Sequence, residues 1–465
     1  MLRFYLIYNF TLFGASVLSL SKRFLKPLTV SIGFVNLVLA NYLYFARITD
    51  RLTLRYSFGV ALLLDSISVN FLLMNAVVWL AAVLVAVRKD LRPFYYTLLI
   101  MFLATCNLAF VSNDLFNIYV ALELTALLTF LLSFVAGKTV QFWAAMKYLL
   151  LCSAAMHIYL IGVILNFGQK NSFEIAGRAS STVAVLMIVG LLMKAGVFFY
   201  SMWLPDLHSS VEPEISTLLS GVSIKTGVYA ILRLSTFIKD HYSIVAVFGI
   251  LTALVAVTFA VNERHYKRIL AYHTLSQVGY MLVSPVYGAA YALAHGVFKG
   301  FLFLLSDDLP TYDVKELKKY GVGLPKWFFL SLASLSISGF PFTIGGAAKD
   351  LVFGTLKWQK PFMYIAAVGT VMSFAKFLLM FKPKLERVKN LPSYLLLSFY
   401  CLLPILGFGK DPVKSLIVFF VGTVAYLLVK GFLKPLPRTL ETLENSFVLY
   451  VLVITLVVLV VMVGA

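Results

Sequence analysis

Residues Lys194 to Arg233 read KAGVFFYSMWLPDLHSSVEPEISTLLSGVSIKTGVYAILR, and this stretch decides the fold. Apolar, helix-like sequence carries Lys194 and breaks across Trp203-Leu204-Pro205-Asp206-Leu207-His208. It passes Glu212-Pro213-Glu214 and then resumes as a second apolar helix with Lys225 near its middle. Proline and clustered polar groups interrupt the helical period, yet both flanks are as apolar as a bilayer helix. An ammonium at the centre of such a helix costs roughly 2.5 to 3.5 kcal/mol on insertion scales. Two of them flanking a broken segment need a reason, and ion movement is one that uses buried charge.

The rest of the chain fits that solvent. Of its 465 residues 61% are hydrophobic and 13% charged, and apolar runs of about 18 residues or more recur from end to end, as in a polytopic α-helical membrane protein. A soluble domain, with about 25% charged residues, is excluded, as is a β-barrel built from alternating strands of about ten residues. The sequence predicts an all-α polytopic membrane protein with about 14 to 16 transmembrane helices, the first apolar span at 2–20, the third at 59–87 and the last at 446–464. The N-terminus runs straight into apolar sequence without an A-x-A-like cleavage site and reads as a membrane helix. The longest connection, Ser306 to Lys326, is charged and has room for a loop helix.

The net charge of +19 would suggest nucleic acid in a soluble protein. Here most Lys and Arg, including Arg88, Lys89, Arg264, Lys267 and Arg268, fall between apolar spans and read as topology signals. Their distribution puts the loops after odd-numbered spans in the cytoplasm and both termini outside. Cys106, Cys152 and Cys401 lie in apolar spans without a C-x-x-C pair, so neither a disulfide framework nor an iron–sulfur ligand set is indicated. No cofactor is expected in this chain.

Several further charges sit in apolar surroundings. Glu123 lies deep in the span opened by Asp114, and a pair with Lys194 would form a switch, because each charge sets the proton affinity of the other. A static ion pair between helices is the alternative. Lys147 and Lys225 would extend a file on either side of Lys194; snorkelling is the alternative for each. His295 and Lys299, four apart, share a helix face with His273 on the preceding span, and a histidine between ammonium groups suits proton relay. A metal site from His273 and His295 lacks a third ligand. Asp206 and His208 either cap exposed backbone at the break or admit protons. Asp65 begins an apolar span as a cap or a functional group. Lys147, Lys194 and Lys225 are matched in order by Lys299, Lys349 and Lys376, with a second break at Gly339-Phe340-Pro341-Phe342 and Gly345-Gly346. Five spans per unit would place successive units upside down relative to each other; chance alignment of sparse lysines is the alternative.

As a set, NDLFNIYVALEL from Asn113, MKYLLL from Met146, KAGVFFYSMWLPDLH from Lys194, LLSGVSIKTGVYAILR from Leu218, KRILAYHTLSQVGY from Lys267, HGVFKGFLFL from His295 and GFPFTIGGAAKDLVF from Gly339 resemble the antiporter-like family. Its members occur in respiratory complex I, Mrp-type Na+/H+ antiporters (the D-type subunit) and membrane-bound hydrogenase-type complexes. The resemblance implies a fourteen-helix core of two inverted five-helix units, each with a broken helix. It implies that Glu123 and Lys194 form the modulating pair, that Lys225, His295 and Lys299 continue the file, and that Lys349 is the terminal site. The chain departs from the family pattern at Phe199, Ser201 and Val211-Glu212-Pro213, close to the expected proton access. The implied organisation is N-terminal helices over 1–93, a first unit over 94–240, a second, inverted unit over 241–385 and C-terminal helices over 386–465; the apolar spans after about residue 410 go beyond the fourteen-helix core, and residues 431–444 between them could serve as a docking segment.

The function expected is a proton-translocating, or Na+-linked, membrane subunit of a redox-driven respiratory complex, without a redox centre of its own. It would sit in the cell membrane beside other membrane subunits, further antiporter-like ones among them. A component of a self-standing Mrp-type antiporter is the alternative. A non-conducting scaffold is a third reading, but a scaffold has no need to keep charges in lipid.

Overall fold

The computed structural model describes residues 1–18, 25–54, 60–135, 137–407, 409, 411–442, and 445, 448, 451, 452, 455 and 459. Most of the expected last span, 446–464, therefore lies outside the described residues.

Burial sorts the helices into layers. Helix Pro213–Arg233 is enclosed along its whole length, and helices Ser66–Ala86 and Gly288–Leu305 nearly so. Helix Gly288–Leu305 packs against Ser66–Ala86, Tyr266–Leu282, Leu324–Ser338 and Ile344–Thr355, which puts His295 and Lys299 at the centre of the protein. Helices Leu25–Phe45 and Pro412–Val429 are peripheral. Phe420 and Leu428 remain exposed there, as side chains facing lipid would be. Among the described residues nine helices are long and apolar enough to cross a membrane, and shorter apolar helices such as Pro93–Ala109 and Ser181–Lys194 fill the spaces between them.

The architecture is predominantly helical with two small departures from an all-α plan. Strands Asp50–Thr53 and Ala61–Leu64 pair antiparallel, and Val322–Gly323 pairs in parallel with Phe381–Lys382. The expected span 59–87 is thus a strand followed by a helix. Asp65 divides them: its carboxylate accepts from the Ile67 and Ser68 N–H groups at 3.1 and 3.0 Å and caps helix Ser66–Ala86. Both carboxylate oxygens also bind Arg233, at 2.6 and 2.9 Å. The loop helix expected between Ser306 and Lys326 is Val314–Tyr320.

Both broken segments are present, and the first starts earlier than the sequence suggests. Helix Ser181–Lys194 ends at Lys194 itself, where Gly196 takes φ +83°. A short 3-10 turn at Phe198–Tyr200 follows. The Trp203–His208 stretch, expected to be the interruption, instead begins a new helix, Leu204–Ser210, with Pro205 in its first turn, where a missing N–H does no harm. Helix Pro213–Arg233 contains a π-turn at Leu219–Ser223, just before Lys225. The second break falls as expected: helix Leu324–Ser338 closes on Gly339 at φ +83°, and Ile344–Thr355 resumes with Thr343 as its cap.

Candidate functional site

The break after Lys194 places that side chain where the chain turns inward. Its ammonium donates to the Tyr148 hydroxyl at 3.1 Å and lies 5.4 Å from the centre of the Tyr148 ring. Gly227 makes the arrangement possible, since a Cβ there would lie 2.5 Å from the Ala195 nitrogen and the Lys194 carbonyl carbon. Glu123, on helix Leu115–Phe134, accepts from the Ser153 hydroxyl at 3.2 Å with one oxygen and has no hydrogen-bond partner at the other among the described residues. Its charge acts on Lys194, yet no ion pair within 4.0 Å joins the two among the described residues. Tyr148 holds the ammonium instead.

Beyond this point the buried ammoniums rest on backbone carbonyls. Lys225 donates to the Ser220 carbonyl, in the π-turn. Lys299 donates to Leu270 at 2.6 Å, Lys349 to Ile337 at 2.8 Å and Lys376 to Val261 at 2.6 Å. Ile337 and Val261 are in last turns of helices, where carbonyls lack intrahelical partners and carry the negative end of the helix dipole. The Ser220 and Thr274 hydroxyls meet at 2.7 Å, and Thr274 also donates to the Leu270 carbonyl that holds Lys299. The partners of Lys225 and Lys299 are therefore joined through two side-chain hydroxyls.

Three histidines lie among these lysines. His208, His273 and His295 are fully buried, and no nitrogen of their rings has a hydrogen-bond partner among the described residues. His208 stacks on Phe303 at 4.5 Å, and His273 lies against Phe374 at 4.8 Å. Lys225, Lys299 and His273 bear on His295, while Lys299, Lys376 and Lys349 bear on His273. His208 feels Lys299, Lys267 and Lys225. Lys225, His295, Lys299, His273 and Lys349 are thus all buried, and the histidines lie within the influence of these ammonium groups. The Lys349 end opens into a cavity of about 120 Å³ lined by Gly339, Lys349, Asp350, Asp411, Lys414 and Ser415 among others.

Lys147 and Asp206 form a separate group at the other end. Asp206 takes the Lys147 ammonium at 2.8 Å on one oxygen and the Arg268 guanidinium at 2.9 Å on the other. Arg268 also pairs with Glu263 at 3.4 Å and with Glu441, which accepts from the Tyr272 hydroxyl. The set is hidden in the sequence because Lys267 and Arg268 look like loop charges. Both are buried in helix Tyr266–Leu282, and Lys267 donates to the Val211 carbonyl at 2.7 Å. Lys89, which also reads as a topology charge, binds the buried Glu214 at 2.7 Å. Glu263-Arg-His-Tyr-Lys-Arg, an acidic residue followed at once by bases at the mouth of an apolar span, was the available signal.

Residues 112–373, more than half of the chain, match the family described as NADH:quinone oxidoreductase/Mrp antiporter, TM. The chain belongs to this family. The matched region contains every residue of the row from Glu123 to Lys349. Over 319 residues the chain is 28% identical to the D-type subunit of the Na(+)/H(+) antiporter of Alkalihalophilus pseudofirmus, a match that covers 61% of this chain and 64% of that protein, so that the chain spans less than two thirds of the relative's length. Over 412 residues it is 26% identical to the chloroplastic NAD(P)H-quinone oxidoreductase chain 4 of Draba nemorosa, covering 77% of this chain and 81% of that one. The fold is that of a chain in the Mrp complex of a Dietzia species, with a TM-score of 0.80 and 20% identity over 98% of this chain and 59% of its counterpart. This family member is a multi-pass membrane protein.

Proposed function

We propose that the chain is a proton-translocating, antiporter-like subunit of a redox-driven respiratory complex in the cell membrane. Protons move along Glu123, Lys194, Lys225, His295, Lys299, His273 and Lys349, with Lys147 joining the path beside the access near Asp206 and His208. The observation that carries this reading is the alternation of carbonyl-held lysines with histidines whose ring nitrogens lack protein partners. A row of buried nitrogens and ammonium groups is the kind of lining that binds bridging water, and a chain of bridging water conducts protons. A scaffold would gain nothing from such a row, since each buried charge is expensive.

In this reading residues 94–240 and 241–385 are two inverted five-helix units within a core of about 14 helices, flanked by 1–93 and 386–465, and both termini lie outside. The chain holds no cofactor, and its driving force comes from neighbouring membrane subunits, among them other antiporter-like chains. The kinship with a quinone oxidoreductase chain over most of both lengths favours the redox-driven assembly. A self-standing Na+/H+ antiporter is the second reading, favoured by the kinship with the bacterial antiporter protein. The test uses the whole assembly in sealed vesicles. Electron donor and acceptor should drive acidification of one side, and Lys299→Met should abolish it while electron transfer continues. Exchange driven by a Na+ gradient, with no response to any electron donor, would decide for the second reading.

A further inference from the structure

The connection after helix Pro412–Val429 returns to the protein and ends in a 3-10 turn, Thr439–Glu441. Charged residues of surface connections normally stay in water, but only 4% of the Glu441 side chain is exposed. Its carboxylate binds Arg268 and Tyr272, and its backbone carbonyl accepts from Lys147 at 2.5 Å. One residue far along the chain therefore touches both cations that hold Asp206. Glu441 faces Arg268 and Tyr272 from helix Tyr266–Leu282, Lys147 from helix Thr139–Lys170 and Asp206 from helix Leu204–Ser210; Glu263, from the turn before helix Tyr266–Leu282, joins the cluster through Arg268, and Arg438, of Glu441's own segment, through Glu263 at 3.4 Å. Lys147, Arg268 and Arg438 stand against Asp206, Glu263 and Glu441, and the cluster is neutral only with Glu441 in place.

We propose that Glu441 is a positioning residue for proton access: by sharing Arg268 with Asp206, it offsets part of the positive charge that holds Asp206 ionised. This rests on the proton-translocating reading above. Arg268 and Lys147 both bind Asp206 with Glu441 in place; without the Glu441 charge their pull is less opposed, and opposite charges at contact distance favour a carboxylate's ionised form. A carboxylate held so firmly takes up a proton only at lower pH. Burial, opposed by Arg268, raises the Glu441 carboxyl above its ordinary value, so the balance itself responds to pH.

The experiment compares Glu441→Gln, Glu441→Asp and Glu441→Gln/Arg438→Gln in the complete assembly. Proton pumping is followed as a function of pH, and the Asp206 carboxyl is titrated by infrared spectroscopy, its band assigned with Asp206→Asn. In Glu441→Gln the alkaline limb of pumping and the Asp206 titration should both move to lower pH by roughly one unit, the low end for an uncompensated neighbouring cation. Glu441→Asp should keep the wild-type profile. Removal of the half-exposed Arg438 restores equal numbers of cations and carboxylates and should recover part of the shift. Unmoved titration and pumping limb in Glu441→Gln overturn the proposal, even if assembly or amplitude falls. If Glu441→Gln does not assemble, the comparison passes to the double variant, whose shift must be smaller than that of Arg268→Lys/Glu441→Gln. Wild-type assembly that never pumps, with an Asp206 band that still shifts, refutes the translocation reading but not the coupling.

Discussion

Gly227→Ala is a substitution whose consequence follows from main-chain geometry. A methyl group there would lie 2.5 Å from the Ala195 nitrogen and the Lys194 carbonyl carbon and 2.8 Å from the Ala195 Cα. None of these atoms is the end of a flexible side chain. Carbon contacts are comfortable at about 3.5 to 4.0 Å, so the end of the Lys194 helix has to retreat by about 1 Å. Overpacking of this kind costs about 1 to 3 kcal/mol. The retreat also draws the Lys194 ammonium away from the Tyr148 hydroxyl, now at 3.1 Å and near the long end of hydrogen bonding. A hydrogen bond to a charged group is worth about 1.5 to 3 kcal/mol, and 1.36 kcal/mol is a factor of about ten in proton affinity. The assembled complex carrying Gly227→Ala should therefore melt at a lower temperature and move protons at least about tenfold more slowly. Gly168→Ala is the control: nothing lies within 4 Å of a methyl group there, and the helix should gain about 0.5 to 1 kcal/mol. The measurements are thermal melting of the assembly and pumping in sealed vesicles. Wild-type melting and pumping in Gly227→Ala would refute the reasoning, because the close approach would then have no bearing on Lys194.

Three other outcomes are expected. Glu123→Gln and Lys194→Met should each impair pumping in assembled complex, and the double variant should cost much less than the two losses combined, because either change disables the same unit; unchanged pumping in all three would remove this pair from the mechanism. Asp65→Ala should destabilise the protein by about 3 to 5 kcal/mol, since it strips a largely buried Arg233 of its carboxylate, whereas Asp65→Asn should lose less because its side-chain oxygen still caps the helix; denaturation of the two variants in detergent gives the comparison. The isolated chain in liposomes should show little ΔpH-driven Na+/H+ exchange, and vigorous exchange by the lone polypeptide would place the driving force within it.

The helices and the lysines were legible because lipid-compatible sequence tolerates so few charges: Lys194, Lys225, Lys299 and Lys349 stand out against apolar neighbours. Their partners did not stand out. A backbone carbonyl such as Ile337 or Leu270 carries no signature of its availability, and Tyr148 looks like any aromatic residue of a membrane helix. The start of the first break was misplaced because Pro205 is the conspicuous helix breaker, although Gly196, at positive φ, turns the chain. Arg268 and Lys267 were hidden by position. A basic pair at a span boundary has the same sequence whether it faces cytoplasm or the protein interior, and only the helices around it decide which.

The carbonyl partners of Lys225, Lys299, Lys349 and Lys376 have a consequence for charge states. A carbonyl has no proton to lose and no formal charge to strand. When a lysine held this way becomes an amine, its surroundings pass from one positive charge to none, whereas a lysine held by a carboxylate would leave an isolated anion in a medium that penalises it. In the proposed function a proton can thus leave a lysine between Lys225 and Lys349 with no countercharge moving beside it. Among the described residues, the carboxylates Asp206 and Glu123 stand at one end of that proposed path and Asp350 at the other.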